Sequence, residues 1–90
     1  MSKINFEEFR NDLKQLQGKN IVLQISKIID ITKRIGKAQI IINSNRIFIS
    51  DENNEEINID INYISNFYKE DEKLKCEFDN WLEILIYEEK

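Results

Sequence analysis

The run from Ala38 to Ile61 limits what this chain can become more than any other part of it. It holds three short stretches, Ala38–Ile42, Ile47–Ile49 and Ile57–Ile61, rich in isoleucine and separated by polar residues. β-Branched residues at alternate positions suit a pleated sheet with one dry face, and the polar breaks suit hairpin turns. A two-residue turn at Ser44-Asn45 sets Ile42 against Ile47, Ile41 against Phe48 and Ile40 against Ile49. One face then carries Ile40, Ile42, Ile47 and Ile49, while the other has only Ile41 and Phe48 between Asn43 and Arg46. The acidic connection that follows poses a register problem. A tight turn at Asn53-Asn54 would leave the isoleucines of adjoining strands on opposite faces. Setting Ile49 against Ile57 or Ile59 restores a common apolar face, so an odd-length loop or a bulge is predicted.

Flanking segments follow from the same periodicities. Phe6, Phe9, Leu13 and Leu16 lie on one face at helical spacing, predicting a helix over about residues 5–17. Asn5 is its cap, Glu8 stands at the third helical position, Ile4 is placed to staple onto Phe9, and Gly18 follows the last periodic residue. Phe6 and Phe9 are expected to lid the sheet. Ile21–Thr32 reads as one long strand, bent or bulged where Lys27-Ile28 breaks its alternation. Lys33–Lys37 then turns into the central hairpin, with Gly36 supplying a positive φ. A helical turn is predicted near Tyr63, and Leu74–Phe78 and Trp81–Tyr87 make a hairpin about Asp79-Asn80 with Phe78 paired to Trp81. Phe78, Trp81, Leu82, Leu85 and Ile86 also satisfy a helix face, so the last run admits both periods.

Ninety residues suit one domain with a single modest core, here the helix and a barrel over about 21–87. With no His in the chain, Ser-His-Asp and Cys-His nucleophiles are excluded, and one Cys without His leaves no credible zinc site. Two isolated glycines make no phosphate loop. Asp51, Asn53 and Glu55 imitate the first ligand positions of an EF-hand, but Glu56 stands where Gly is required and Asn62 where a bidentate Glu is required. No pair of carboxylates is flanked by residues that would bury one of them. The expectation is a protein that is not an enzyme and needs no metal or cofactor. A lone Cys76 fits a reducing compartment, and the charged, periodic first twenty residues are unlike a signal peptide. A cytoplasmic protein without membrane association is expected.

Charge divides the chain. Residues 1–46 carry nine Lys/Arg against four Asp/Glu, a net of +5; residues 47–90 carry four against thirteen, a net of −9, which together give the overall −4. Two binding classes follow. Asp51, Glu52, Glu55 and Glu56 could dock on a protein partner with a basic surface, since complementary charge speeds encounter and selects partners. Alternatively, Lys33, Arg34, Lys37 and Arg46, joined by Lys27, could bind nucleic acid with Phe48 or Tyr63 as stacking partners. The uneven division is also compatible with homo-oligomers formed head to tail.

The opening helix followed by the run from Leu16 through Gly18 to Ile25 resembles the start of an Sm-like domain, where a short helix leads into a bent strand. Ile57 through Ile64 is similar to that family's late strand running into a short helical turn. The family's internal Asp-Gly and Asn-Gly signatures have no counterpart, so RNA binding is carried over to no residue. The resemblance implies an α+β, mainly β fold: an N-terminal helix, then a small, strongly bent five- or six-stranded antiparallel barrel of the Sm/SH3-like kind, with ring formation as its oligomer. The functional expectation is a non-catalytic protein-interaction module. Its concrete form is an inhibitor, encoded by a mobile element, that docks on a basic, nucleic-acid-handling host complex. The alternative is a nucleic-acid-binding small barrel.

Overall fold

The computed structural model describes every residue from Met1 to Lys90. In chain order the elements are β1 (Ser2–Ile4), α1 (Phe6–Lys14), β2 (Ile21–Lys27), β3 (Ile31–Ile35), β4 (Gln39–Ile42), β5 (Arg46–Ser50) and β6 (Glu56–Asp60). A 3-10 turn at Ile61–Tyr63 follows, then β7 (Asn66–Glu70), β8 (Lys73–Phe78) and β9 (Leu82–Glu88). Six strands form one antiparallel sheet in the order β1-β7-β8-β9-β2-β3, and three form a second, β4-β5-β6. The α+β, mainly β class stands. The ladders, however, run as two open sheets and do not close into the expected barrel.

The smaller sheet follows its sequence pattern. Ile42 pairs with Ile47, Ile41 with Phe48 and Ile40 with Ile49. Asn43 Oδ1 fastens the turn by accepting from the N–H groups of Asn45 and Arg46, both at 2.8 Å. Five residues, 51–55, separate β5 from β6, and this odd length sets Ile49 opposite Ile57 and Ile47 opposite Ile59. Ile47, Ile49 and Ile59 are buried, with Ile40, Ile42 and Ile57 half-buried beside them. Ile41, on the other face, is 63 % exposed.

Asn5 caps α1, its Oδ1 accepting from the Glu8 N–H at 2.8 Å. The helix ends at Lys14, short of the expected 17, and successive turns carry Leu16 into the core before Gly18 takes φ +80°. Phe9 and Leu13 are fully buried, and the Phe9 and Phe6 rings lie 4.7 and 5.5 Å from that of Phe67. The helix therefore lids the gap between the sheets, packing on β4, β7 and β8. Ile4 enters β1 opposite Phe67, a strand whose three residues carry no usable period in the sequence.

Three local expectations are corrected. The break at Lys27-Ile28 is a hairpin turn, not a bulge within one strand: Lys27 takes φ +90°, and β3 returns along β2 with Ile25 opposite Ile31 and Ile21 opposite Ile35. Lys33, Arg34 and Ile35 thus belong to a strand, and only Gly36-Lys37 turn. There the positive φ falls on Lys37, at +48°, and not on Gly36. At the last hairpin Phe78 pairs with Leu82; Trp81 lies in the turn, its N–H donating to Phe78 O at 3.4 Å, with ring centroids 6.0 Å apart. A three-residue loop with Asp79 at φ +53° replaces the expected two-residue one.

Both sheets and the helix share one apolar core, to which the larger sheet contributes Ile21, Leu23, Ile35, Leu74, Cys76, Phe78, Ile84 and Ile86. No polar or charged residue is buried in it. At roughly 1.5–3 kcal/mol for each large aliphatic side chain fully buried, this core outweighs anything the surface charges contribute.

Candidate functional site

The fold separates the four cations of the nucleic-acid reading. Successive side chains of a strand point to opposite faces. On β3, Lys33 lies on the core side with Leu23 as cross-strand partner, whereas Arg34 lies on the outer side opposite Val22. Each cation also has its own carboxylate. Lys33 Nζ is 3.4 Å from Glu55, Lys37 Nζ 4.0 Å from Glu52, and Arg46 Nη2 3.7 Å from Asp60. Arg34 Nε donates to Glu89 Oε1 at 3.1 Å, and Arg46 Nη1 donates to Asn58 Oδ1 at 3.1 Å. Lys27 lies between Glu77 and Glu83, at 3.9 and 3.8 Å. Of the proposed stacking partners, Phe48 is half-buried and Tyr63 stands exposed at the 3-10 turn.

The acidic residues divide by role. Asp51 is a turn anchor: its Oδ1 accepts from the N–H groups of Asn53 at 2.9 Å and Glu55 at 3.0 Å. Asn54 takes the left-handed φ, +65°, that this loop needs. Glu52 and Glu55 reach back to Lys37 and Lys33, because pairing of Gln39 with Ser50 brings the 51–55 loop beside the β3–β4 corner. Lys33 and Lys37 of the basic set and Glu52 and Glu55 of the acidic set therefore form one corner, with their charges paired across it, while Arg34 and Arg46 pair elsewhere. Glu56, exposed at the head of β6, has no ion pair.

A different surface emerges at one end of the larger sheet. Ile28 is 72 % exposed and Trp81 50 %, and Ile29 and Ile31 are exposed beside them. The β2–β3 and β8–β9 turns adjoin, since the Ile28 N–H donates to Trp81 O at 3.2 Å. Ser65 ties the end of the 3-10 turn to the same place: its Oγ accepts from the Asp79 N–H at 2.9 Å and its N–H donates to Glu77 O at 2.8 Å. Tyr63 stands exposed two residues before Ser65. Asp30 and Asp79 are the carboxylates in these two turns. None of this end appeared among the residues chosen from sequence. Its signal was present, in an adjacent Ile28-Ile29 pair that no strand face explains and in a Trp beside Asp79-Asn80.

The outer face of the larger sheet is internally satisfied. Lys73 lies over the Tyr87 ring and Lys75 over that of Tyr68, each 4.9 Å from the centroid, while Lys75 also meets Glu83 at 3.5 Å. A cleft beneath the end of α1 is lined by both signs of charge, among them Lys69 and Asp12 at 2.9 Å. Hydrogen bonding to Asp12 raises the Lys69 pKa, and hydrogen bonding to Lys90 lowers that of Glu72; both shifts belong to surface ion pairs. The Cys76 thiol is sealed in the core, and loss of solvation pushes its pKa up to about 12. That is the setting of a packing residue, since the thiolate is the reactive form. No helix is long and apolar enough to cross a membrane. Comparison with known protein families, curated proteins and solved structures finds no match.

Proposed function

We propose that this protein is a non-catalytic protein-interaction module that uses the exposed end built from Ile28, Ile29, Ile31 and Trp81 to dock on a partner carrying basic residues. The observation that supports this reading is the exposure of these large apolar side chains on two turns that a backbone bond from Ile28 to Trp81 holds together. Contiguous exposed apolar residues mark interaction surfaces, and Trp is prominent among residues that dominate binding energy. Asp30 and Asp79 in the turns of this end, and Glu56, a carboxylate of the acidic stretch without an ion pair, favour a basic partner. Commitment of Lys33, Arg34, Lys37 and Arg46 to carboxylates of their own chain weighs against a phosphate-binding surface. The concrete form we favour is a cytoplasmic inhibitor, encoded by a mobile element, that occupies a basic, nucleic-acid-handling complex. We also favour an Sm-like ancestry, because the helix leading into β2 and the 3-10 turn after β6 fall on the residues that suggested it.

The test compares three forms of the full chain against the partner isolated from its native host and then purified. Trp81→Ala with Ile28→Ser should weaken binding by about thirtyfold or more, the scale of one interface hot spot. Glu52→Lys with Glu55→Lys should weaken it less and lower its sensitivity to added salt. Unchanged affinity in the Trp81/Ile28 variant would overturn the apolar end as the docking surface.

A further inference from the structure

Strands at the borders of the two sheets differ in how they treat their free backbone groups. β4 is already covered: the Ile40 N–H donates to Gln17 Oε1 at 2.7 Å, and Ala38 exchanges bonds with Gly18 and Lys19 at 2.7 and 2.9 Å. β1 has three residues, and β3 has the 51–55 loop tied to it through Lys33 and Glu55. β6 has none of these protections. The Ile61 N–H donates to Asn45 O and the Asp51 N–H to Glu55 O, which fixes the phase of the ladder between them. Ile57 and Ile59 therefore bond to β5, and Glu56, Asn58 and Asp60 turn their N–H and C=O groups away from it. No strand pairs with that side.

Side chains along this edge state what would fit it. Glu56, Asn58 and Asp60 lie on the outer face of the sheet, and half-buried Ile57 lies on the core side. A second copy pairing antiparallel about Asn58 would set Glu56 opposite Asp60 twice, and directly opposed like charges destabilise a sheet. Asp60 already accepts from the Asn62 N–H at 3.0 Å and faces Arg46, so Glu56 is the carboxylate free to meet a cation. The edge runs straight into the 3-10 turn and exposed Tyr63, and so towards the apolar end.

We infer that β6 is a docking edge for an extended segment of the partner in which Lys or Arg alternates with apolar residues. The segment adds a fourth strand to the smaller sheet. Its backbone bonds to Asn58, its cations face Glu56 and the outer face, and its apolar side chains cover Ile57. This inference rests on the protein-partner reading above and specifies how that partner is held.

The experiment uses the full chain labelled with nitrogen-15 and a short peptide of alternating lysine and valine, with an alternating glutamate–valine peptide as control. Bound peptide should slow exchange of the Asn58 amide by about tenfold or more, while the Ile57 and Ile59 amides, already in the ladder, change little. Asn58→Pro removes the outward N–H without touching a backbone bond to β5, losing there only the side-chain bond from Arg46, and Pro is tolerated on an edge strand, so this variant should lose the peptide. Glu56→Lys keeps the backbone and should weaken the lysine peptide by about tenfold; it serves alone if the proline variant does not fold. An Asn58 amide that stays unprotected at saturating peptide, or equal binding of the glutamate peptide, would overturn the inference. Loss of binding in Glu56→Lys with full binding in Asn58→Pro would remove strand addition but leave the basic-partner reading standing. A Trp81 variant that fails to affect the purified partner would remove that reading independently.

Discussion

In the three-stranded sheet each strand keeps one wet face and one dry face, whereas the six-stranded sheet is partly covered on both. Ile47, Ile49 and Ile59 face the core and Ile41, Asn58 and Glu56 face water, so burial alternates as the residues do. On β2, by contrast, Ile21, Val22 and Leu23 are buried in succession, and no residue of β7 is buried outright. Val22 is covered on the outer face, in a row with Tyr87 and Arg34, while its neighbours enter the core. Alternation encodes a strand only when its two faces differ. The smaller sheet supplies that contrast, and the larger one uses both of its faces.

If the two sheets share one interior, Ile47→Ala and Leu23→Ala should each cost about 2–5 kcal/mol in equilibrium denaturation. Ile41→Ala, on the wet face of the smaller sheet, should stay within about 0.5 kcal/mol. Equal small losses at all three would mean that neither sheet depends on the other.

Cys76 sharpens the contrast, because the larger sheet alone buries a titratable side chain. The folded thiol keeps its proton up to about 12, whereas the unfolded one releases it near the usual 9.0. In that window the unfolded state binds fewer protons, so stability should fall as pH rises from about 9 towards 12. Denaturation midpoints of wild type and Cys76→Ala across this range isolate the effect from lysine and tyrosine titration. Parallel pH profiles for the two would contradict a sealed thiol.

Smaller effects distinguish residues that look alike in sequence. Asp51→Ala leaves two loop N–H groups without their acceptor and should cost about 1–2 kcal/mol. Reversal of the whole acidic loop, Asp51 included, is therefore not neutral for the fold. Glu52→Gln and Glu55→Gln remove only exposed ion pairs and should change stability by about 0.5 kcal/mol or less. Comparable losses at Asp51 and Glu52 would show that the loop is not held as described.

Legibility of the sequence followed the same physics. The registers of the central hairpin, the odd loop before β6, the Asn5 cap and the buried Phe9 could all be read, since each has a strict period or a capping chemistry behind it. β1 was too short to have a period. The β2–β3 turn was hidden because Ile28 and Ile29 are apolar where turns are ordinarily polar, and β7 because both of its faces are half-covered. At the candidate site, residue types were legible but partners were not. Lys33 and Arg34 are neighbours in sequence, yet β3 sends them to opposite faces. Glu52 and Lys37 are distant in sequence, yet the corner between β3 and β4 brings them together. The exposed end was missed for the reason that conceals the turn: its isoleucines looked like core.

Lys27, Lys33, Arg34, Lys37 and Arg46 are committed to carboxylates of their own chain, leaving an apolar end and an acidic edge to meet a protein. Titration of fluorescently labelled single-stranded RNA and DNA with the full chain at low salt tests this commitment most directly. Wild type should show no saturable binding, and neither should Lys33→Glu combined with Lys37→Glu. Saturable binding that weakens steeply with added salt, and is lost in that double variant, would contradict it.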